Sequence, residues 1–192
     1  IEKEIPVWTE IELAYKISEA PIIGITGSNG KTTTTTLLFH MLSIGNKSPL
    51  IAGNIGTVSC SVAEHATPDD VIVLEASSFQ LMGTESFRPK IAILTNIYDA
   101  HLDYHGTSDA YAEAKAEITN NQLEDDFVID NDEREDVREI AKNLRAILIP
   151  FAVSGKKEIG ISVDEAYIYW NGAPFINRSI IKLPGQHNLE NI

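Results

Sequence analysis

Short apolar runs alternate with longer amphipathic stretches along most of the chain. The runs are rich in β-branched residues and predict strands over residues 22–26, 71–74, 91–95, 127–129 and 146–151. The stretches between them predict helices over residues 31–44, 79–86, 108–123 and 132–143, with Ser108 as the N-cap of the third. Since continuous apolar strands that alternate with helices are typical of a parallel sheet covered on both faces, the pattern predicts an α/β fold.

The two ends of the chain differ from this repeat. Near the start, Thr9 and Glu12 have the spacing of a capping box, which predicts a short helix that ends before Pro21. Near the other end, β-rich runs over 166–170 and 174–181 flank Asn171-Gly172, which is a strong hairpin signal. We therefore expect a mostly parallel sheet with helices on both faces and a small antiparallel β appendage, followed by a helix that begins near the last residue.

The composition and charge argue against several classes of function. The chain has 192 residues, one cysteine (Cys60) and a formal net charge of −13, which excludes a disulfide within the chain and argues against general binding to nucleic acids or anionic membranes. No apolar run approaches the roughly 20 residues of a membrane span, so we expect a cytoplasmic location. Because the sequence begins at Ile1 and stops at Ile192 inside a predicted helix, we expect it to be a segment of a longer protein.

A glycine-rich segment lies between the first predicted strand and the helix after it. It reads Gly27-Ser28-Asn29-Gly30-Lys31-Thr32. In a phosphate loop the backbone N–H groups face phosphate oxygens, the lysine reaches the β- and γ-phosphates and the hydroxyl binds Mg²⁺. Ile25 stands where the standard spacing has a glycine, so the match is to a shortened variant. The alternative is a glycine-rich turn that caps an ordinary helix.

Carboxylates and a histidine follow two other strands. Glu75 ends the 71–74 strand, at the sheet edge where nucleotide-bound Mg²⁺ is usually held, although a strand-end residue can also face solvent. The next strand leads into a loop with Asp99, His101 and Asp103. Because Mg²⁺ prefers oxygen ligands, the chemistry favours an aspartate, and a loop histidine is more often exposed or structural.

One lysine occupies an unusual position. Lys115 shares a helix face with Tyr111 and Ile118, and that face is predicted to pack against the sheet. Two interpretations remain open for Lys115: a side chain whose amine extends to the surface, or an amine buried for a specific chemical role.

These motifs together resemble the Mur ligase family, whose members join amino acids to UDP-N-acetylmuramoyl precursors of peptidoglycan. The loop over 27–33 resembles the family's ATP loop, which folylpolyglutamate synthetase shares. The segments 53–56 and 74–81 resemble the branch that adds D-glutamate to UDP-N-acetylmuramoyl-L-alanine. The segments 95–103, 111–115 and 185–188 fit the same family in the same order.

The resemblance implies a role for each matching residue. The residues that would bind ATP are Gly27, Ser28, Asn29, Gly30, Lys31, Thr32 and Thr33, with Asn188 and Asn191 near the adenine. The ligands of two Mg²⁺ ions would be Thr32, Glu75, His101 (against the preference for oxygen) and a carbamylated Lys115. The muramoyl substrate would contact Asn54, Ser77, Gln80 and His101. The catalytic set would be Lys31, Glu75, His101 and Lys115.

The resemblance also implies a domain organisation. Residues 1–20 would lead in from an N-terminal UDP-binding domain, and residues 21–192 would be the central ATP-binding domain, cut before a C-terminal domain. We expect such a segment to be inactive alone, and the parent enzyme to act as a monomer through an acyl phosphate. Two alternatives remain: another ligase of the Mur or folylpolyglutamate type, and a P-loop nucleotide-binding module without ligase chemistry.

Overall fold

A single nine-stranded sheet organises the residues described by the computed structural model, which are 5–141 and 144–192. The strands are β1 (Ile22–Thr26), β2 (Ser48–Gly53), β3 (Asp70–Glu75), β4 (Ile91–Leu94), β5 (Phe127–Asn131), β6 (Ile147–Ala152), β7 (Ile161–Val163), β8 (Tyr167–Trp170) and β9 (Ala173–Asn177). Their order is β2-β3-β1-β4-β5-β6-β7-β8-β9. Pairing is parallel from β2 to β7 and antiparallel from β7 to β9, which confirms the predicted α/β class.

Short helices connect the strands. They are α1 (Glu10–Ile17), α2 (Lys31–Ile44), α3 (Ser59–Ala63), α4 (Ser78–Leu81), α5 (Leu102–His105), α6 (Ser108–Ala116), α7 (Glu135–Ala141) and α8 (Gln186–Asn191). The last two residues of the helix predicted over 132–143 lie outside the described residues. In the part of the chain that the structure describes, no helix has the length and apolar character that a membrane crossing requires.

The central strand β1 explains where a ligand can bind. All five of its residues are buried, and β1 pairs with β3 on one side and β4 on the other. Gly24 brings the layers close, because a Cβ there would lie 3.1 Å from the Ile118 side chain and 3.3 Å from that of Pro89. Since the chain leaves β1 toward β2 and later returns to β4 on the opposite side, a crevice opens beyond the carboxyl end of β1.

The capping box predicted at α1 is wrong, although the helix itself is confirmed. Thr9 precedes α1 but donates its hydroxyl to the Gln80 carbonyl at 2.6 Å instead of capping the helix. The buried Glu12 carboxylate accepts the N–H groups of residues 85, 86 and 87. Both side chains find tertiary partners about 70 positions away, and these partners replace the local cap.

Other boundaries also differ from the prediction. The helix predicted over 79–86 is a single turn, and the one predicted over 108–123 ends as an α-helix at Ala116 and continues as a 3₁₀ turn, Glu117–Thr119. Thr107 caps that helix, while Ser108 donates to Asp99 at 2.6 Å. The predicted hairpin, at β8 and β9, extends the main sheet through β7.

Candidate nucleotide-binding and catalytic site

The glycine-rich loop joins the end of β1 to the start of α2 at the crevice. Gly27 and Gly30 have φ values of 152° and 84°, in the region that favours glycine. A Cβ at Gly27 would overlap the Thr95 hydroxyl, and one at Gly30 would overlap the Asn191 side chain. The loop therefore packs tightly against residues after β4 and against α8, with α2 beginning directly behind it.

The residues after β4 hold this loop in shape. Asn96 accepts the Asn29 N–H at 2.8 Å through its side-chain oxygen and donates its amide to the Asn29 carbonyl at 3.1 Å. Its backbone carbonyl accepts the Ser28 N–H at 2.9 Å. The Ser28 hydroxyl in turn contacts the Tyr98 backbone and the Tyr111 hydroxyl. The sequence motif included Asn96 without assigning it a role, because its partners become visible only when β1 and β4 lie side by side.

The loop lysine lies over the loop's own carbonyl groups. Lys31 Nζ donates to the Gly27 carbonyl at 2.7 Å and to the Ser28 carbonyl at 3.0 Å. Burial lowers the pKa of Lys31, and the nearby Glu75 carboxylate opposes that shift. The next residues, Thr32 and Thr33, lie in the first turn of α2.

Glu75 is the centre of a small oxygen-rich cluster at the end of β3. It is 1% exposed and accepts the Thr32 hydroxyl at 2.9 Å on one carboxylate oxygen. The other oxygen accepts the Asn54 side-chain amide at 2.9 Å. The structure thus brings together three residues that the sequence placed in separate motifs.

This cluster fits the chemistry of a nucleotide-bound Mg²⁺. Mg²⁺ usually keeps several waters and is bound by one or two carboxylates together with substrate phosphates. The Thr32 hydroxyl and the Glu75 carboxylate supply that kind of donor set, beside a loop shaped for phosphate. In residues 5–141 and 144–192, no three His, Cys, Asp or Glu side chains form a group able to hold a metal by themselves. The arrangement therefore suits a Mg²⁺ site whose ligands come from both the protein and a nucleotide better than one whose ligands all come from the protein.

Lys115 is buried behind the glycine-rich loop. It is 1% exposed, donates to the Gly27 carbonyl at 2.9 Å and to the Thr26 hydroxyl at 3.4 Å, and lies 4.7 Å from the centroid of the Tyr111 ring. Burial, reinforced by the charge of Lys31, lowers the pKa of Lys115 to about 7. Of the two interpretations left open by the sequence, the structure favours a fully buried amine over one that extends to the surface.

The loop before α5 presents His101 near Tyr111. His101 has a φ of 53°, and its ring lies edge-on to Phe79 and 6.2 Å from Tyr111 between centroids. Within the described ranges, the His101 side chain has no hydrogen bond to another residue. Asp99 accepts the Ser108 hydroxyl at the start of α6, and Asp103 is exposed in α5.

The segment after Glu75 forms a capped turn with an aromatic neighbour. Ser77 accepts the Gln80 N–H, and the Gln80 side chain accepts the Ser77 N–H at 2.9 Å, which is a capping box. His105 contacts the Ser78 hydroxyl at 3.0 Å and stacks on Phe79 at 5.4 Å. His105 was not among the predicted site residues, although it lies four positions after His101, at the other end of one helical turn.

The last helix closes one side of the crevice. The buried Asn191 accepts the Thr34 hydroxyl on its carbonyl at 3.2 Å and donates its amide to Asn188 at 3.3 Å. A cavity of about 410 Å³ lies between α8 and the glycine-rich loop. Its lining residues are Asn29, Gly30, Asn96, Tyr98, His187, Glu190 and Asn191.

Comparison with known proteins agrees with this arrangement. Across its whole length the chain is 54% identical to the UDP-N-acetylmuramoylalanine–D-glutamate ligase of Geobacillus sp. (strain WCH70) and 55% identical to that of Geobacillus kaustophilus (strain HTA426). It covers 43% of each relative and so spans less than half of their length. The MurF ligase of Thermotoga maritima, solved in complex with ADP, shares the fold with a TM-score of 0.66 at 19% identity, over 100% of this chain and 49% of that one.

The family match covers nearly all of the sheet and every part of the site described above. Residues 25–192 match the family described as the Mur ligase middle domain. This range begins in β1 and includes the glycine-rich loop, Glu75, Lys115 and α8. The chain therefore belongs to the Mur ligase family.

Proposed function

We propose that the chain is the central ATP-binding part of a ligase that adds D-glutamate to UDP-N-acetylmuramoyl-L-alanine during peptidoglycan synthesis. The observation that carries this proposal is the identity of 52–55% over essentially the whole chain to relatives named for that reaction. Residues 1–20 would connect to a preceding UDP-binding domain, and residues 21–192 would form the central domain. Since its substrates are ATP and a UDP-linked precursor, the enzyme would act in the cytoplasm.

The proposed reaction has two steps. The terminal carboxylate of the muramoyl substrate attacks the γ-phosphorus of ATP, so that a carboxyl-oxygen-to-phosphorus bond forms and ADP leaves. The amine of D-glutamate then attacks the acyl carbon, the amide bond forms, and phosphate leaves as the amine loses a proton. Such chemistry requires mainly positioning and neutralisation of charge.

The glycine-rich loop supports the first step. The first N–H groups of α2 offer donors and a positive dipole end to phosphates, and Lys31 would exchange the Gly27 and Ser28 carbonyls for phosphate oxygens. Thr32 and Glu75 would hold Mg²⁺, which when bound supplies positive charge beside the transferred phosphate. Asn191, which lines the cavity beside α8, and Asn188, which accepts the Asn191 amide, would lie near the adenine.

Lys115 and His101 would both be ligands of a second Mg²⁺. Lys115 would supply an oxygen ligand after carbamylation of its amine. An uncharged amine can attack carbon dioxide, so that an N–C bond forms, a proton leaves and a carbamate results. The buried position of Lys115 favours the uncharged amine that this reaction needs. His101 and Lys115 both contact the ring of Tyr111, which supports a shared site without fixing its geometry.

The muramoyl substrate would bind along the edge formed by Asn54, the turn over residues 77–80 and His101. Asn54 lies against Glu75, and Phe79 links the turn to His101. The substrate carboxylate would thereby come close to the Mg²⁺ and the γ-phosphate, as an in-line transfer requires.

The test is a ligation assay of the full-length parent enzyme with ATP and UDP-N-acetylmuramoyl-L-alanine. D-glutamate, L-lysine, glycine and L-alanine would be supplied separately, and the product would be identified by mass. Of the four amino acids, we expect only D-glutamate to give an amide product. A product with another amino acid would favour a different Mur ligase, and nucleotide binding without any product would favour the non-catalytic module. The isolated 192-residue chain should bind ATP weakly and form no amide.

A further inference from the structure

The start of α1 contacts the turn that we assign to the muramoyl substrate. One oxygen of the Glu10 carboxylate accepts the Gln80 side-chain amide at 2.7 Å. The other accepts the Ser59 N–H at 3.1 Å, at the beginning of α3. Glu10 thus joins three helices, and it lies before the range 25–192 that the family match covers.

A second contact fixes the backbone of the same glutamine. The Thr9 hydroxyl donates to the Gln80 carbonyl at 2.6 Å, and the Thr9 N–H donates to the Gly83 carbonyl at 3.2 Å. Residues 9 and 10 therefore hold Gln80 both at its main chain and at its side chain.

The Glu10 contact also determines which way the Gln80 amide faces. A carboxylate only accepts hydrogen bonds, so it must meet the NH₂ end of the amide. The amide oxygen of Gln80 then faces Ser77, where it accepts the N–H at 2.9 Å and the hydroxyl at 3.0 Å. With one hydrogen of Nε2 bound to Glu10, the second hydrogen is left for an acceptor on a ligand.

We propose that Glu10 is a positioning residue for the muramoyl substrate, acting through the orientation of the Gln80 amide and the Ser77 cap. The proposal rests on the proposed function, because it assumes that the turn over residues 77–80 contacts that substrate. Without Glu10, the Gln80 amide can rotate and present its oxygen instead of its N–H, and the cap on Ser77 loosens with it. Substrate affinity should fall while the phosphate-transfer groups remain in place.

The test is a double-mutant cycle in the full-length ligase with Glu10→Ala, Gln80→Ala and the double variant. Glu10→Ala should raise KM for UDP-N-acetylmuramoyl-L-alanine about tenfold, as expected for one charge-assisted hydrogen bond. Its kcat and its KM for ATP should change less than about twofold, since Glu10 touches no phosphate-binding group. In the Gln80→Ala background, Glu10→Ala should add almost nothing, because the group it orients is gone.

Glu12→Gln is the matched control, because Glu12 lies in the same helical turn and contacts residues 85–87 but not Gln80. It should lower thermal stability without changing KM. Equal KM increases in Glu12→Gln and Glu10→Ala, or additive effects in the cycle, would overturn the proposal.

If Glu10→Ala does not fold, Glu10→Gln serves instead. Its side-chain NH₂ must face a donor on Ser59 or Gln80, so KM for the muramoyl substrate should rise about threefold. An unchanged KM would contradict the proposal. A wild-type enzyme that forms no D-glutamate adduct would overturn the proposed function and this inference together, whereas an active wild type with an unaffected Glu10→Ala would overturn this inference alone.

Discussion

Replacing Lys115 with methionine should stabilise the enzyme while it abolishes ligation. Methionine keeps most of the length and volume of the side chain but carries no charge. Lys115 is 1% exposed, and burial followed by the charge of Lys31 lowers its pKa from 10.5 to about 7. Between pH 7 and pH 10.5 the Lys115 amine is therefore mostly uncharged in the folded protein but mostly protonated in the unfolded chain. Stability of the wild type should rise with pH across that window.

The size of the effect follows from the pKa difference. At about 1.36 kcal/mol per pKa unit, the buried amine costs the folded state roughly 4 kcal/mol at neutral pH. Methionine would lose the hydrogen bond to Gly27 and the contact with Tyr111, which together are worth about 1–2 kcal/mol. Because Lys31 also donates to the Gly27 carbonyl, that oxygen keeps a partner. For the transition in which a domain of this size unfolds, a net gain of about 2 kcal/mol would raise the melting temperature by roughly 5 °C.

The assay is thermal unfolding of the full-length enzyme at pH 7 and at pH 10, without Mg²⁺, nucleotide or bicarbonate, so that the amine stays unmodified. Lys115→Met should melt higher than wild type at pH 7, and the difference should shrink at pH 10. Lys47→Met is the control, because Lys47 is exposed and its replacement should change little. A lower melting temperature for Lys115→Met at pH 7, or an unchanged difference at pH 10, would refute the reasoning.

Three further results are expected. Asn96→Ala should raise KM for ATP about tenfold, because Asn29 loses two hydrogen bonds that shape the loop; an unchanged KM would remove Asn96 from the site. Lys115→Ala should abolish ligation, and added short carboxylates should restore part of it, whereas undiminished turnover would leave Lys115 with a structural role. Burial would raise the pKa of Asp126, but hydrogen bonds led by that from Arg88 lower it to about 2. The wild type should therefore lose stability as pH falls from about 4 toward 2. Asp126→Asn should be less stable at pH 7, and its melting temperature should fall much less over that pH range. An equal fall in melting temperature for the two proteins would contradict this.

The parallel strands and the phosphate loop could be predicted because their signals are local. The apolar run that forms β1 is buried at every position, and the glycines at 27 and 30 are required where the chain turns into α2. β2 was not among the predicted strands. It lies at the edge of the sheet and contains Pro49, which a central strand would not tolerate.

The residues that join distant segments could not be predicted from spacing. Thr9 and Glu12 match a capping box, but partners about 70 positions away replace the local cap. His105 meets Ser78 and Phe79 only after α4 and α5 come together. From its helix face, a buried Lys115 amine was one of two open interpretations, and its contact with Gly27 depends on how α6 packs on β1.

The most direct measurement follows the oxygen atoms of the substrate. UDP-N-acetylmuramoyl-L-alanine carrying a heavy oxygen isotope in its terminal carboxylate would be ligated to D-glutamate by the full-length enzyme with ATP, and the released phosphate would be analysed by mass. Because an acyl phosphate passes one carboxylate oxygen to the phosphate, we expect one heavy oxygen in each phosphate released. Unlabelled phosphate released alongside the amide product, or no product with D-glutamate, would contradict the proposed ligase chemistry.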